Sequence, residues 1–240
     1  MDTYIGKRAR IDQSAYIGRG VVIIGPTIIG PRVVIEDYSI IGKPSEEQIL
    51  KFQKHLNGKQ LSYDDYDDCV ITQTTIEEGC LLGRNTLIYS GCVLHHEVVC
   101  DDNCRVGWDT VIGAYSRIMY NALVYERIVT GEHCRISGFI CNDTVLGNYV
   151  SMNGETLHSY YGYSNVDERS PAPKILDHTI VGFGVKIIGG VTIGYRSYLA
   201  AGAVVTRDVP DESIVTGVNG ITRPNEWTGK LSQKGPWSRK

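Results

Sequence analysis

A six-residue period in large aliphatic side chains limits, more than any other feature, how this chain can fold. It runs through Ile5, Ile11, Ile17, Ile23, Ile29, Ile35 and Ile41. It resumes at Val70 and passes through Ile76, Leu82, Ile88, Leu94, Cys100, Val106, Ile112, Ile118 and Val124. A four-residue step from Ile136 to Ile140 slips the phase, and Leu146 and Met152 restore it. The last run is Ile175, Val181, Ile187, Ile193, Leu199 and Val205. Two positions before each large residue stands a small or β-branched one, such as Ala9, Ala15, Val21, Thr27, Val33 or Ser39. A period of six fits neither a helix nor an alternating half-buried strand. It fits a triangular parallel β-helix, an all-β solenoid in which each hexad makes one short strand and one corner. Three hexads make a coil, and coils stack at about 4.8 Å. Each repeat buries its apolar face only against its neighbours, so such an array is stable only as a stack.

The period divides the chain. Coils are expected over 1–42, 69–152 and 175–222, with an insertion at 43–68, a second at 153–174, and a tail at 223–240. In the first insertion, Ser45 followed three residues later by Gln48 reads as a capping box. Ile49, Leu50, Phe52 and Leu56 can share an apolar face, so a helix is expected from Ser45 to Leu56, then an acidic loop at Asp64, Asp65, Asp67 and Asp68. The second insertion carries Glu155, His158, Tyr160, Tyr161, Tyr163 and the stiff Pro171-Ala172-Pro173. Loops held by a rigid scaffold are where binding and catalytic groups concentrate.

Composition removes several function classes. A net charge of −3, with both signs mixed along the chain, gives no field to attract a polyanion, so no nucleic-acid partner is expected. No apolar run reaches the roughly 18 residues that span a bilayer. No signal-peptide core stands at the N-terminus, so a soluble, cytoplasmic protein without a membrane partner is expected. The seven cysteines lack CxxC pairs. Cys80, Cys92, Cys104 and Cys134 fall on the small inward position and Cys100 on the large one, where free cysteine acts as a small hydrophobe.

The segment TIVGFGVKIIGGVTIGYRSYLAAGAVVTRDVPDESIVTGV, and the order VSMNGETLHSYYGY before SPAPKILDHTIVGFG, resemble the hexapeptide-repeat acyltransferases. That superfamily includes galactoside, xenobiotic, serine and nucleotide-sugar acetyltransferases. The resemblance implies a left-handed β-helix, a homotrimer with active sites between neighbouring prisms, and acetyl-CoA or another short acyl-CoA as co-substrate. It puts His158 at the catalytic position. By motif position, Gly182, Phe183, Ala201, Thr206, Arg207 and Arg223 would face the coenzyme. Gly217-Val218-Asn219 stands where the family usually has Gly-x-Pro, and the basic residue expected soon after arrives only at Arg223.

The chemistry suits that reading. An acceptor amine or hydroxyl must lose a proton as it attacks a thioester, and a histidine can take it. No serine or cysteine stands in a nucleophile motif, which favours direct attack over an acyl-enzyme. His95 and His96 are rival bases, placed by coil counting about three coils before His158; His133 and His178 occupy turns. Residues eighteen apart should stack, which aligns Tyr89, Gly107 and Tyr125 in one column, with Trp108 and Glu126 one step on. Asn142 and Asp143 follow near the next coil. This row, with Tyr160, is the expected acceptor site for a sugar, a nucleotide-linked amino sugar or another small metabolite. The alternatives are a non-catalytic solenoid scaffold and a zinc protein like the gamma-class carbonic anhydrases. The latter needs three converging histidines in a spacing not found here, and no metal site is expected.

Overall fold

The computed structural model describes residues 2–54, 61–159 and 171–226. Its strands, mostly two or three residues long, wind into a left-handed parallel β-helix with three flat faces. Face I holds seven strands from Tyr4–Ile5 to Phe139–Ile140 and is continued by the three-stranded sheet Glu155–Leu157, Lys186–Ile188 and Val204–Val205. Face II holds nine strands, from Arg10–Ile11 to Thr192–Ile193, and face III eleven, from Tyr16–Ile17 onward. Pairing is parallel except at the C-terminal end, where Gly220–Thr222 folds back antiparallel on Ile214–Thr216.

The period explains the register. Ile5 pairs with Ile23 and Ile23 with Ile41, so identical positions of successive coils meet inside the prism. Ile23, Ile35, Ile41, Leu82, Ile118 and Val181 are fully buried there. Each such side chain contributes roughly 1.5–3 kcal/mol by leaving water. The small residues two positions earlier are equally buried, as Val21, Cys80, Cys92 and Ala122 show. Four-residue corners repeatedly place their third residue at positive φ, for example Asn103 at 59° and Tyr149 at 57°.

Three details depart from the sequence reading. Val70 keeps the six-residue phase but lies outside the prism, in a satellite cluster with Val22 and Ile24. The phase slips twice rather than once: after Met152 the next inward residue is Thr156, four positions on, so Glu155–Leu157 is still a solenoid strand. Both short corners stack on the same edge, where a Cβ on Gly138 would lie 2.5 Å from the Gly154 carbonyl. The sequence reading missed the second slip because no large aliphatic residue marks it.

The third departure concerns the acidic loop. Helix α1, Glu46–Gln53, forms as expected with the Ser45/Gln48 box. Leu56 lies outside the described residues. Asp64, Asp65, Asp67 and Asp68, expected in a loop, sit on a second helix, α2, Tyr63–Cys69, which has its own box between Ser62 and Asp65. Two acidic residues in its first turn also favour the positive end of the helix dipole. Asp67 is 1% exposed: it accepts the Gly25 N–H at 2.7 Å and faces Arg8 Nε at 3.5 Å. It thereby hooks α2 onto the first coils. No described helix is long and apolar enough to cross a membrane.

Candidate functional site

Both excursions leave the same edge of the prism. Residues 44–73 join a face I strand, Ile40–Lys43, to the face II strand Thr74–Ile76. Residues 158–173 join Glu155–Leu157, which continues face I, to Lys174–Ile175 on face II. Between them, the corners of three successive coils bring together the residues expected to bind the acceptor. Backbone bonds stack these corners: Arg127 N–H donates to the Trp108 carbonyl at 2.9 Å, and Asp143 N–H to the Glu126 carbonyl at 3.0 Å. In the next step the Cys141 N–H donates to Thr156 Oγ1 at 2.9 Å, which ties this row to the strand Glu155–Leu157 that leads into His158.

The row is more than aromatic and acidic. Arg105 projects from face I with its guanidinium 4.9 Å from the Tyr89 ring centroid and 4.3 Å from that of Tyr125, and bonds Glu126 at 2.8 Å. Arg127 sits 4.6 Å from the Trp108 ring centroid and holds Asp143 through two bonds of 2.7 and 2.8 Å. Lys43 caps the row, 4.5 Å from the Tyr89 ring centroid and bonded to its hydroxyl at 2.9 Å. Glu126 is only 7% exposed, so its charge is spent on Arg105 rather than offered outward. Asn142 accepts the Glu126 N–H at 3.4 Å. The sequence reading overlooked both arginines. They sit 21 and 16 residues before their carboxylates, so neither pair falls on the eighteen-residue column.

His158 is half-buried at the root of the second excursion, directly after Leu157, whose carbonyl accepts the Gly189 N–H at 2.8 Å. The paired Gly189-Gly190 makes room for the excursion. A Cβ on Gly189 would lie 3.1 Å from Ser159 Oγ, and one on Gly190 2.4 Å from Pro171 Cβ. That Gly-Gly was the one available sequence signal for where the loop crosses the next coil. Tyr160, Tyr161 and Tyr163 lie outside the described residues. The other described histidines stand on the edge between faces II and III, not on the edge of His158. His95 and His96 face Glu77 there, at 3.1 and 3.7 Å. His133 is stacked between Tyr115 and Tyr149, at 4.9 and 4.7 Å, while His178 is stacked on Tyr149 at 4.9 Å and meets Tyr195 edge-on at 5.6 Å. Coil counting gave height along the prism but not the edge.

The six residues expected at the coenzyme divide among three edges. Gly182, Phe183 and Ala201 stack on the edge between faces III and I, where Phe183 is 82% exposed. At Gly184 and Gly202, on the same edge, a Cβ would meet nothing within 4 Å. Thr206 and Arg207 lie on the edge of His158, two coils on, and both are tied to Asn219: its side chain bonds Thr206, and its carbonyl accepts from Arg207 at 2.8 Å. Arg223 reaches back to the Asp211 carbonyl, on the II–III edge. The buried thiols offer no nucleophile, since burial pushes those of Cys80, Cys92 and Cys104 up to about 12.

No protein-family model matches the chain. Among curated proteins it is similar to the bifunctional protein GlmU of Geotalea uraniireducens, 28% identical over 224 residues that span 88% of this chain and 46% of that protein. It is also similar to GlmU of Nostoc sp., 26% identical over 217 residues, 81% of this chain and 42% of that one. The chain thus spans somewhat under half the length of these relatives. Among solved structures, a UDP-N-acetylglucosamine acyltransferase of Francisella novicida aligns over 92% of this chain and 67% of that one, at 17% identity and a TM-score of 0.40. A six-residue period organises every face of a left-handed parallel β-helix, and over most of its length the chain is similar to a part of the bifunctional protein GlmU.

Proposed function

We propose that this protein is a coenzyme A-dependent acyltransferase that moves an acetyl or similar short acyl group to an amine or hydroxyl of a sugar, a nucleotide-linked amino sugar or a small metabolite. The observation that carries the reading is the position of His158. It stands at the root of an excursion, on the same edge as a pre-ordered row of aromatic and polar side chains. His158 takes the proton of the acceptor as its nitrogen or oxygen attacks the thioester carbon, and the C–S bond breaks as the new bond forms. The proton then passes to the departing thiolate. General-base help of this kind is typically worth about 10²–10⁴ in rate. Backbone N–H groups of a glycine-bearing corner supply the donor for the developing oxyanion.

Acyl-CoA enters this reading as co-substrate. Supporting it is the strip of Gly182, Gly184, Ala201 and Gly202, open enough for an extended pantetheine chain to lie against, with the exposed Phe183 ring beside it. That strip and His158 lie on opposite edges of face I, which favours a homotrimer in which the edge of one prism meets the strip of another. Thr206 and Arg207, on the edge of His158, would approach the coenzyme from its other side, and Arg223 would have to leave the Asp211 carbonyl to take part. The competing reading as a bare scaffold gives no reason for Gly189-Gly190 to clear a path for the excursion. Two measurements test the proposal. Acetyl-CoA at about a hundred times its Kd should stabilise the fold by about 2.7 kcal/mol. Thiol release should depend on an amino-sugar or amino-acid acceptor. No shift in Tm and no acceptor-dependent release across the panel would refute it.

A further inference from the structure

The first excursion borders a pocket of which the acceptor row supplies only Trp108. Its volume is about 180 Å³, the size of one sugar ring, and it lies where α1 meets two successive corners of the His158 edge. Ser45 at the cap of α1, Glu47, Gln48 and Lys51 on it, Thr72 on the returning chain, and Ser90, Trp108 and Asp109 on the corners line it. The walls are prearranged. Gln48 Oε1 accepts from the Ser45 N–H at 2.8 Å and from Ser90 Oγ at 3.3 Å, which pins the helix to the corner. Trp108 is fixed by the Arg127 guanidinium 4.6 Å from its ring, itself locked to Asp143.

The lining discriminates among ligands. Hydroxyls and an amide are too polar for a hydrocarbon. The Asp109 carboxylate opposes a phosphate, and the cation of the lining, Lys51, is paired with Glu47 at 2.6 Å. An aromatic wall beside a carboxylate and several hydroxyls suits a pyranose, whose C–H face packs on an indole while its hydroxyls donate to the carboxylate. The pocket corner lies three coils from that of His158, about 14 Å at the spacing of stacked strands. That span is longer than one sugar.

We infer that this pocket is a saccharide subsite for the far end of an extended acceptor, an oligosaccharide whose other end reaches His158. The pocket stands on its own geometry, whereas the direction in which the acceptor runs rests on the proposed function. The test uses β-1,4-linked glucosamine oligomers of one to five residues, with binding read by calorimetry and transfer by thiol release. Affinity should rise at least tenfold from the monomer to the longer oligomers. Trp108→Ala and Asp109→Asn should each remove that gain. Asn tolerates the left-handed backbone at position 109, where φ is 54°, so Asp109→Asn tests the pocket even if Trp108→Ala fails to fold. Affinity that is flat with length, or a gain that survives in Asp109→Asn, overturns the subsite. Oligomers that bind through Asp109 but accept no acyl group support the subsite and count against the acyltransferase reading. Transfer whose KM ignores chain length does the reverse.

Discussion

The I–II and II–III edges of this prism are built from the same hexads and put to different uses. The II–III edge has no insertion anywhere along its described corners. Tyr115, His133, Tyr149 and His178 stack there ring on ring with planes tilted by no more than 10° between neighbours, and His96 and Tyr195 close the two ends of the row edge-on. Tyr115, His133, Tyr149 and His178 all occupy left-handed corner positions, with φ between 56° and 59°, so their side chains leave the prism in parallel. A ring stacked on both faces has little left for a ligand. The I–II edge does the opposite. It expels two excursions, seats α1 and α2, and intersperses arginines with aromatics in an arrangement that leaves a pocket open. On the proposed function, regular corners supply stability and interrupted corners supply the site.

Excising the second excursion tests that division with the largest expected effect. Replacing residues 158–173 by a four-residue corner should let the coil close with little change in Tm. It should also abolish acyl transfer, a loss of at least about 10³-fold if His158 is the base. Retained transfer would move the site elsewhere. Removing the hook of the first excursion should do the converse. Asp67→Ala leaves the buried Gly25 N–H without its acceptor and should cost about 2–3 kcal/mol in urea unfolding. A change below about 0.5 kcal/mol would mean that α2 does not clamp the N-terminal coils. Tyr149→Ala should have the smallest effect. It deletes two ring stacks at a half-exposed site, about 1–2 kcal/mol in stability, and should leave turnover intact. A loss of turnover in that variant would give the regular edge a functional role.

Much of the fold was legible because a solenoid writes its core in one period. Ile23, Ile41 and Ile118 are inward for the reason their spacing suggests, and Ser45 with Gln48 marked α1. The spacing failed where an apolar residue kept phase without entering the prism, as Val70 does under α2. It failed again at Thr156, a small polar residue in an inward position. The candidate site was legible in part. Trp108, Tyr125, Glu126, Asn142 and Asp143 do share an edge, because one coil takes eighteen residues, or sixteen where the slip from Ile136 to Ile140 falls. Their arginine partners were hidden, since each ion pair crosses columns or spans a slip. The coenzyme residues were assigned by motif position, which does not report that Gly182, Thr206 and Arg223 face three different ways.

The histidines decide the matter most directly. Thiol release from acetyl-CoA, with the best acceptor of the panel, should be compared among His158→Ala, His96→Ala, His133→Ala and His178→Ala, each first shown to be folded. The account predicts a loss of at least a hundredfold for His158→Ala and, for the three variants on the stacked edge, rates within about twofold of the unaltered protein. Full turnover in His158→Ala, or a hundredfold loss confined to a stacked histidine, would contradict it.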